Sequence, residues 1–462
     1  MELEKVKNEI RNISKLKNVS IQTIWDMFFF ENFLYRISLS DYSNMFIFKG
    51  GFLLQSILGI ESRTTMDLDL KIVSNKLEDN SLVQILKFIC DYNKDDIVYT
   101  FKKIENIKAG TVYGGKTAKI EGKFYNITKI FSIDFGIGDI VTPNALIYSY
   151  KSIINSREFN ILSYPIETII AEKFETLISK GTNNSRVKDL IDIYLLRSKI
   201  YNKSTLNAAV INTFTIRNTK YDKKYISETI SKIKHFSRIK ELFDNYITKH
   251  DFANNITFDM CFSSLKNIFS ELVFKSKINL SDYNISIDLV RHGADEMKAI
   301  GGWSDNHLTQ KGIIEIENLI QMIRDHYDLF ISSDLNRAKE SAEIINKKLN
   351  MPIEYNCLFR EMNNGDLKNL SKTEFLEKYP GLFYSSLKMD ESYPNGESPI
   401  EFYKRIEKVF LNLLETNKNK KILIVTHGGV IDIILSLING YEYSNKLKIS
   451  PKTGSIIKLC SN

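Results

Sequence analysis

The stretch from Lys49 to Leu70, KGGFLLQSILGIESRTTMDLDL, constrains the first half of this chain more than any other segment. After Gly50 and Gly51, Leu and Ile recur at helical spacing, which predicts a helix that buries one face. Glycine lets the backbone pass close to a bound group, and the N–H groups that open a helix attract anions. The glycine turn is therefore predicted to bind a phosphate group.

After this helix the pattern changes to the two-residue period of a strand. Between Met66 and Leu70 the apolar residues alternate with Asp67 and Asp69, which places both carboxylates on one face. Two adjacent carboxylates repel each other unless a cation lies between them, and Mg2+ prefers oxygen ligands. The pair predicts a Mg2+ site that carries nucleotide phosphates. Alone, either motif is also typical of ordinary turns and solvated edge strands.

A polymerase-like site needs a third carboxylate on a neighbouring strand. That group completes the metal shell or draws a proton from the attacking hydroxyl. The alternating segment Ile130–Phe135 carries Asp134 near its end. We predict Asp134 in this role, with Asp139 as the second choice, so that the metal ligands are Asp67, Asp69 and Asp134.

The glycine turn and the acidic strand, about sixteen residues apart, resemble the signature of polymerase-β-like nucleotidyltransferases. FKGG, the Leu-rich helix, Gly59 and Arg63 look like the AbiEii-type toxin family of abortive-infection nucleotidyltransferases. The resemblance implies that a nucleoside triphosphate binds at Lys49, Gly50, Gly51 and Arg63.

The same resemblance implies a helical half with a phosphate-contacting lysine and a catalytic-site aspartate. Carried over to this sequence, those roles fall on Lys173 and on Asp189, in the segment SRVKDLIDIYLL. A charged helix face with both signs is also typical of a merely solvated helix.

Length and charge set the broader limits. A chain of 462 residues exceeds one ordinary core, so several domains are expected. The net charge is +7, and residues 283–462 hold 23 Lys and Arg against 24 Asp and Glu, so the basic excess lies in the first part. This favours RNA as a partner there, although lysine-rich proteomes produce the same excess.

The lack of targeting signals in the sequence and the positions of the cysteines both favour the cytoplasm. No apolar run reaches transmembrane length and the first residues do not resemble a signal peptide, so we predict a cytoplasmic protein without a membrane partner. The four cysteines are widely scattered, which predicts free thiols.

A second constellation begins where an apolar strand, Ile285–Val290, runs directly into Arg291, His292 and Gly293. Ligands bind at such strand ends in α/β sheets. Arg337 then enters a helix, Glu361 lies in a loop, and His427 follows another buried-type strand. In this order the residues resemble the histidine phosphatase, or phosphoglycerate-mutase-like, family from residue 285 to the C-terminus.

That resemblance implies a phosphomonoesterase without a cofactor. His292 would be the nucleophile, because a neutral imidazole nitrogen can form a phosphohistidine that water later opens. Arg291, Arg337 and His427 would bind the phosphate, and Glu361 would protonate the leaving oxygen through a raised pKa. Lys298 stands where many members have Asn, which indicates either an unusually anionic substrate or a drifted site.

We therefore expect a multidomain α/β and α+β protein. Residues 1–160 would form a polymerase-β-like nucleotidyltransferase core with N-terminal helices, residues 161–280 its helical part, and residues 281–462 a Rossmann-like three-layer α/β/α phosphatase. The first enzyme would be toxin-like, act in phage defence and modify tRNA 3′ ends, with a protein side chain or small molecule as other acceptors. A separate antitoxin would be a further partner.

The role of the fusion stays open at this stage. The phosphatase would restrain or complement the transferase. In one alternative, both active sites take successive steps of small-molecule salvage or cofactor synthesis. In another, one module is inactive and acts as a regulatory binding domain.

Overall fold

The computed structural model describes residues 2–62, 65, 67–73, 79–92, 96–106, 115–154, 156–184, 186–275, 277–296 and 301–460. The chain forms two compact units, Met1–Glu271 and Leu272–Asn462, called here the N-terminal unit and the C-terminal unit. None of the described helices is long and apolar enough to cross a membrane. The four cysteines carry free thiols, as predicted.

In its described part, the N-terminal unit has one mixed sheet of seven strands. The strands are β1 (Phe46–Lys49), β2 (Leu68–Ile72), β3 (Val98–Asn106), β4 (Gly115–Phe124), β5 (Ile127–Gly136), β6 (Leu146–Lys151) and β7 (Glu158–Ser163). They lie in the order β3-β4-β5-β2-β1-β7-β6. The pairs β2/β5 and β1/β7 are parallel and the other neighbours are antiparallel. The acidic strand β2 thus lies between β1, which ends at the glycine turn, and β5, which carries Asp134.

The helices of this unit form two groups along the chain. Four lie before or among the strands, namely α1 (Leu3–Lys17), α2 (Ile21–Leu39), α3 (Gly50–Leu58) and α4 (Asp79–Asp91). After β7 come α5 (Ile166–Lys180), α6 (Lys188–Leu196), α7 (Lys203–Ile216), α8 (Lys223–His235), α9 (Ser237–Ile247) and α10 (Phe258–Glu271). The predicted helix after the glycine turn is confirmed as α3, and the predicted helical stretch begins at Ile166.

The aromatic stripe of α2 forms the core of the N-terminal unit. Phe28, Phe29, Phe30 and Phe33 are completely buried. The ring of Phe28 lies 5.2 Å from that of Phe124 and the ring of Phe30 lies 5.2 Å from that of Phe131, so α2 packs on β4 and β5. Each such side chain contributes about 1.5–3 kcal/mol through burial.

The C-terminal unit has a five-stranded sheet in the order β10-β9-β11-β8-β12 within its described residues. The strands are β8 (Ser286–Arg291), β9 (Leu329–Ser332), β10 (Glu354–Tyr355), β11 (Lys421–Thr426) and β12 (Ile456–Leu459). All neighbours are parallel except β12, which runs antiparallel to β8. The helices are α11 (Gln310–Leu319), α12 (Asn336–Leu349), α13 (Lys372–Lys378), α14 (Pro399–Thr416) and α15 (Gly428–Asn439).

Both faces of this sheet are covered by helices. Val290, Leu423 and Val425 pack with Ile316 of α11 and Ala342 of α12 in one buried cluster. The alternate strand residues are also completely buried, on the face where α15 contacts β8 and α14 packs against α15; they are Ile287, Leu289, Ile422 and Ile424. The strands read as continuous apolar runs because neither face meets water. This is the predicted α/β/α arrangement.

The segment before β8 differs from the expected boundary. The N–H of Lys275 donates to the carbonyl of Gly440 (2.9 Å), and the N–H of Ile278 donates to that of Leu437 (3.1 Å). These bonds tie the segment to the end of α15. Residues 272–280 therefore belong to the C-terminal unit rather than to the helical part, and the sequence did not reveal this because the bonds join main-chain groups far apart along the chain.

Glu31 of α2 is a buried carboxyl group that joins this helix to the turn between β6 and β7. Its oxygens lie against the hydroxyl of Ser152 and accept the N–H of Ile153 (3.0 Å). The hydroxyl of Ser152 also lies against the carbonyl of Ile154, so that Glu31, Ser152 and Ile154 form one buried chain of hydrogen bonds. Burial raises the pKa of Glu31 from 4.5 to about 7, against the opposing effect of its hydrogen bonds and Arg157.

This raised pKa makes the stability of the N-terminal unit depend on pH. The contribution of protonated Glu31 is complete below its unfolded pKa and is lost as the pH rises through about 7. Between pH 4.5 and about pH 7, titration of Glu31 should lower the unfolding free energy of the parent by about 3 kcal/mol. Glu31→Gln has no group to titrate there, so this part of the decrease should be absent. Urea unfolding followed by circular dichroism at a series of pH values measures this. The exposed Glu158→Gln is the control, and parallel pH curves for parent and Glu31→Gln would contradict the assignment.

Candidate active sites

The glycine turn and the acidic strand of the N-terminal unit are in direct contact. Gly50 has a φ of 70°, and a Cβ atom built on it would lie 2.0 Å from Oδ2 of Asp69. The N–H of Gly51 donates to the same oxygen (3.2 Å). Any side chain at Gly50 would both strain the backbone and displace the carboxylate. The turn thus holds Asp69 at the N-terminus of α3.

The three predicted carboxylates share this edge of the sheet. Asp69 on β2 is the register partner of Asp134 on the parallel strand β5, and Thr117 of β4 donates to Asp134 (2.6 Å). Asp67 is exposed just before β2. Burial raises the pKa of Asp69, the charge of Lys49 and the amide of Gly51 oppose this, and the charges of Asp134 and Asp67 add to it. The carboxylates therefore act on one another electrostatically.

This donor set fits Mg2+ by its chemistry. Carboxylate oxygens are the ligands that Mg2+ prefers, and a cation would relieve the repulsion that reaches Asp69 from both other aspartates. As the side chains now lie, no group of three or more Asp, Glu, His or Cys residues among those described is arranged to hold a metal ion. The residues that would hold the ion remain Asp67, Asp69 and Asp134.

Lys49 is engaged in a buried ionic cluster behind the glycine turn. Its ammonium group pairs with Asp139 (3.3 Å) and Glu172 (3.4 Å), and Asp139 also pairs with Arg217 (3.0 Å). Burial acts to lower the pKa of Lys49, but Glu172 and Asp139 outweigh it and hold the pKa well above the ordinary value. Asp139, the second choice for the third carboxylate, is thus neutralised by two cations.

Lys173 lies in a second buried ionic group, between α5 and α6. Its ammonium group donates to Asp189 (2.8 Å) and to Asp192 (2.6 Å). Both aspartates are buried, so the alternative of a merely solvated helix face is wrong. The predicted roles of Lys173 and Asp189 toward phosphate remain predictions. Arg63, the other predicted nucleotide contact, lies outside the described residues.

In the C-terminal unit, two histidines meet at the ends of neighbouring strands. His292 follows β8 and His427 follows β11, and these strands are parallel with Arg291 opposite Thr426. The two imidazole centroids are 5.1 Å apart. The carboxyl ends of adjacent parallel strands meet at one edge of a sheet, which explains why residues so distant in sequence come together.

His292 is held as a neutral imidazole. Its Nδ1 lies 2.8 Å from the carbonyl of Gly293, which can only accept a hydrogen bond, so Nδ1 carries the proton and Nε2 keeps its lone pair. Burial and the charge of Arg337 lower the pKa of His292 well below its ordinary value. A Cβ atom on Gly293 would lie 2.4 Å from the carbonyl oxygen of Gly312 on α11, so this close backbone contact requires glycine.

Cations and hydrogen-bond donors surround the two histidines. Arg337 is buried and donates to the carbonyls of Gly302 (2.7 Å) and Ser304 (3.1 Å). His427 Nε2 lies 2.7 Å from the hydroxyl of Ser333. Within the described chain, Nδ1 of His427 and Nε of Arg291 are buried without a hydrogen-bond partner. A phosphoryl oxygen is an acceptor that such groups can use.

Glu361 reaches the same place from a loop. Its carboxylate accepts the N–H of Gly429 (3.0 Å) in the first turn of α15 and the N–H of Met362 (3.1 Å). A Cβ atom on Gly429 would lie 2.4 Å from Oε1 of Glu361. The glycine after His427 therefore makes room for the carboxylate.

Two family models match this chain. One describes the nucleotidyl transferase AbiEii toxin of type IV toxin–antitoxin systems and matches residues 32–262, half of the chain. The first half belongs to the AbiEii family. The other describes the histidine phosphatase superfamily, branch 1, and matches residues 287–462.

Relatives agree on the second half. It is 31% identical over 159 residues to the protein named Uncharacterized phosphatase PhoE of Bacillus subtilis strain 168, covering 34% of this chain and 78% of that protein. It is 32% identical over 163 residues to Probable phosphoglycerate mutase GpmB of Escherichia fergusonii, covering 34% and 75%. The alpha-ribazole phosphatase structure from Shigella flexneri shares 24% identity over 37% of this chain and 89% of that one, with a TM-score of 0.34. The family model and the match to PhoE show that the second half belongs to the histidine phosphatase superfamily.

The chain is therefore a fusion of two enzymes, an AbiEii nucleotidyltransferase and a histidine phosphatase. In the AbiEii half, the structure unites the glycine turn with the predicted aspartates, and places Lys49 among carboxylates instead of at an open surface. Sequence reasoning missed Glu172 and Arg217, which surround Lys49. Glu172 was visible beside Lys173 on a predicted helix, whereas Arg217 had no pattern around it.

In the phosphatase half, the predicted residues that the structure describes lie together at the carboxyl ends of β8 and β11. Sequence reasoning gave no role to Arg405, which binds Glu397 through two bonds (2.7 and 2.9 Å) and donates to the carbonyl of Glu361 (3.1 Å). Arg405 thus positions the Glu361 loop, and its place in a helix after Gly396-Glu397-Ser398 was the available signal. Lys298 lies outside the described residues.

Gly50→Ala tests the contact at the AbiEii site. The added methyl group would displace Asp69, and a shift of about 1 Å at an active site can cost about a hundredfold in rate. We expect nucleotidyl transfer to fall at least that far while phosphatase activity of the same protein stays at the parent level. Labelled-nucleotide transfer and aryl phosphate hydrolysis measure the two activities. Transfer within twofold of the parent would refute the contact.

The neutral state of His292 predicts the pH dependence of the phosphatase. Because its pKa lies well below 6.5, acidification through that value leaves the imidazole neutral. We expect the rate of phosphoenzyme formation, corrected for substrate ionisation, to stay level from about pH 7 to about pH 5.5. Rapid-quench measurements with labelled substrate test this. A loss of rate with a midpoint near 6.5 would show that His292 titrates normally.

Proposed function

We propose that the AbiEii half transfers a nucleotide from a Mg2+-bound nucleoside triphosphate to RNA, with the 3′ end of tRNA as acceptor. The observation that supports this most is Asp69, which accepts the N–H of Gly51 and lies in register with Asp134. The basic excess of the first 282 residues supports a polyanionic acceptor. Membership of the AbiEii toxin family of type IV toxin–antitoxin systems supports a role in phage defence.

The residues of this half have separate tasks in the proposed reaction. Gly50 allows the backbone to approach the phosphates, and the N–H of Gly51 fixes Asp69. Thr117 fixes Asp134, which can accept the proton of the attacking hydroxyl. When bound, Mg2+ would be held by Asp67, Asp69 and Asp134 and would offset the charge of the triphosphate.

For the phosphatase half, we propose hydrolysis of a phosphomonoester through His292. Nε2 of His292 forms a bond to phosphorus while the bond from phosphorus to the alcohol oxygen breaks. The alcohol oxygen takes a proton from Glu361. Water then attacks the phosphohistidine, returns a proton to Glu361, and inorganic phosphate leaves. The neutral imidazole beside His427 and Arg337 supports this proposal.

We further propose that the phosphatase restrains the transferase in the cell. The support is that one chain carries a member of a toxin family and a second enzyme that removes phosphate groups. On expression in a host, Asp67→Ala should relieve growth arrest and His292→Ala should worsen it. Equal growth of the parent and His292→Ala would oppose restraint.

Paired variants of the full chain test both activities at once. With labelled nucleoside triphosphates and separate samples of total RNA, protein extract and small acceptors, label should enter RNA and be lost in Asp67→Ala. Hydrolysis of 4-nitrophenyl phosphate should be lost in His292→Ala and kept in Asp67→Ala. The exposed residues Asp91 and His326 provide matched alanine controls.

Each alternative has its own outcome in this experiment. Label in small acceptors alone would favour the salvage enzyme. Transfer or hydrolysis that persists in the corresponding variant would remove that catalytic assignment. A half without activity would favour the regulatory binding module.

A further inference from the structure

A cluster of carboxyl and phenol groups lies beside Glu361 in the phosphatase half, and the proposed mechanism does not use it. Its members are Asp432 of α15, Tyr384 and Tyr443. The hydroxyl groups of Tyr384 and Tyr443 are hydrogen-bonded to each other. Burial raises the pKa of both phenols, and the charges of Glu361 and Asp432 raise them further. These groups therefore lie close enough to act on one another.

Helix α15 directs Asp432 toward the phosphate site. A Cβ atom on Gly428 would lie 3.1 Å from Cζ of Arg291, and the N–H of Gly429 donates to Glu361. Asp432 follows these glycines by four and three residues, which places it on the same helix face one turn later. Burial raises the pKa of Asp432 to about 7 against the opposing hydrogen bonds of Ser450 and Ile449, and the charges of Glu361 and Arg291 make smaller contributions of opposite sign. Asp432 is thus a neighbour of the phosphate-binding arginine.

The carboxyl group of Asp432 is held firmly by one oxygen. Oδ1 accepts the N–H groups of Ile449 (2.8 Å) and Ser450 (2.6 Å). Oδ2 accepts no hydrogen bond from the part of the chain that the structure describes, and the residue keeps part of its surface exposed. A fixed carboxyl group with a second oxygen to offer is suited to accept a hydrogen bond from a ligand.

Hydrogen bonds and ring stacking also hold the two tyrosines in place. Nδ2 of Asn445 donates to the carbonyls of Tyr384 (2.6 Å) and Leu387 (2.9 Å), which joins the loop of Tyr384 to that of Tyr443. The ring of Tyr443 stacks on that of Tyr403 from α14 at 5.1 Å. The phenol groups are thus preorganised beside Glu361, the predicted proton donor to the leaving oxygen.

The charge pattern divides the site into two parts. The guanidinium groups of Arg291 and Arg337 form the cationic part, suited to phosphate, beside the two neutral histidines. Asp432, which is ionised above about pH 7, and the two phenols form an anionic and hydroxyl-bearing part beside Glu361. A carboxylate or second phosphate on the leaving alcohol would be repelled there, whereas alcohol hydroxyls would find acceptors. Such a surface fits a neutral alcohol with several hydroxyl groups.

We propose that Asp432, Tyr384 and Tyr443 form the leaving-group subsite of the phosphatase, and that they select phosphomonoesters of neutral polyhydroxylated alcohols over those of anionic alcohols. This proposal rests on the phosphatase activity proposed above. It also opposes the sequence-based alternative in which Lys298 binds an unusually anionic substrate.

Glycerol 3-phosphate and 3-phosphoglycerate form a matched pair of probes, because they differ by a hydroxymethyl group in place of a carboxylate. With the full chain at about pH 8, where Asp432 is ionised, we expect kcat/KM for glycerol 3-phosphate to exceed that for 3-phosphoglycerate by at least about tenfold. Asp432→Asn removes the charge and keeps the shape, and should reduce this preference at least about threefold, chiefly through faster hydrolysis of 3-phosphoglycerate. The exposed Asp390→Asn should leave the preference unchanged.

The outcomes separate this proposal from the activity on which it rests. If 4-nitrophenyl phosphate is hydrolysed through His292 and the parent shows no preference within the pair, the subsite is refuted and the phosphatase stands. A preference for 3-phosphoglycerate would also refute it, in favour of Lys298. If no phosphomonoester is hydrolysed, both proposals fall. The preference of the parent protein tests the subsite even if Asp432→Asn does not fold. Tyr443→Phe is the second variant, and it should slow the hydrolysis of glycerol 3-phosphate more than that of 3-phosphoglycerate.

Discussion

The pairing of two neighbouring parallel strands is the constraint on which both catalytic arrangements depend. In the AbiEii half, β2 beside β5 sets Asp69 opposite Asp134, and β1 beside β2 brings the glycine turn against the same carboxylate. In the phosphatase half, β8 beside β11 brings His292 to His427. The order of the strands in each sheet therefore decides which side chains meet at the site. The residues that meet can come from segments far apart in the sequence.

Buried charge is handled differently in the two halves. The AbiEii half encloses Lys49 and Arg217 among Asp139 and Glu172, so that both of these cations have carboxylate partners. A buried charge left unpaired would cost several kcal/mol. The phosphatase half keeps its imidazoles uncharged through burial and neighbouring arginines. The first arrangement pairs buried charges with one another, whereas the second leaves His292, the proposed nucleophile, uncharged.

Short-range patterns in the sequence predicted the elements well, because helical and strand periods are local. They identified α3, the acidic strand and the two strand-end histidines. They ranked Asp134 above Asp139, but they could not show that two cations, Lys49 and Arg217, fold against Asp139. They also left Lys49 open to a nucleotide, since Glu172 and Arg217 come from helices far along the chain. Tertiary neutralisation of charge has no local signal, so these assignments required the structure.

The backbone contact between Gly293 and Gly312 has a consequence for how this phosphatase can diverge. A Cβ atom on Gly312 would lie 2.1 Å from the carbonyl oxygen of Ala294, so the contact excludes a side chain from both directions. Neither position can accept a compensating change at the other, because each conflict is with main chain. Over evolutionary time both glycines should persist in descendants that have changed substrate, and even in descendants that have lost the histidine.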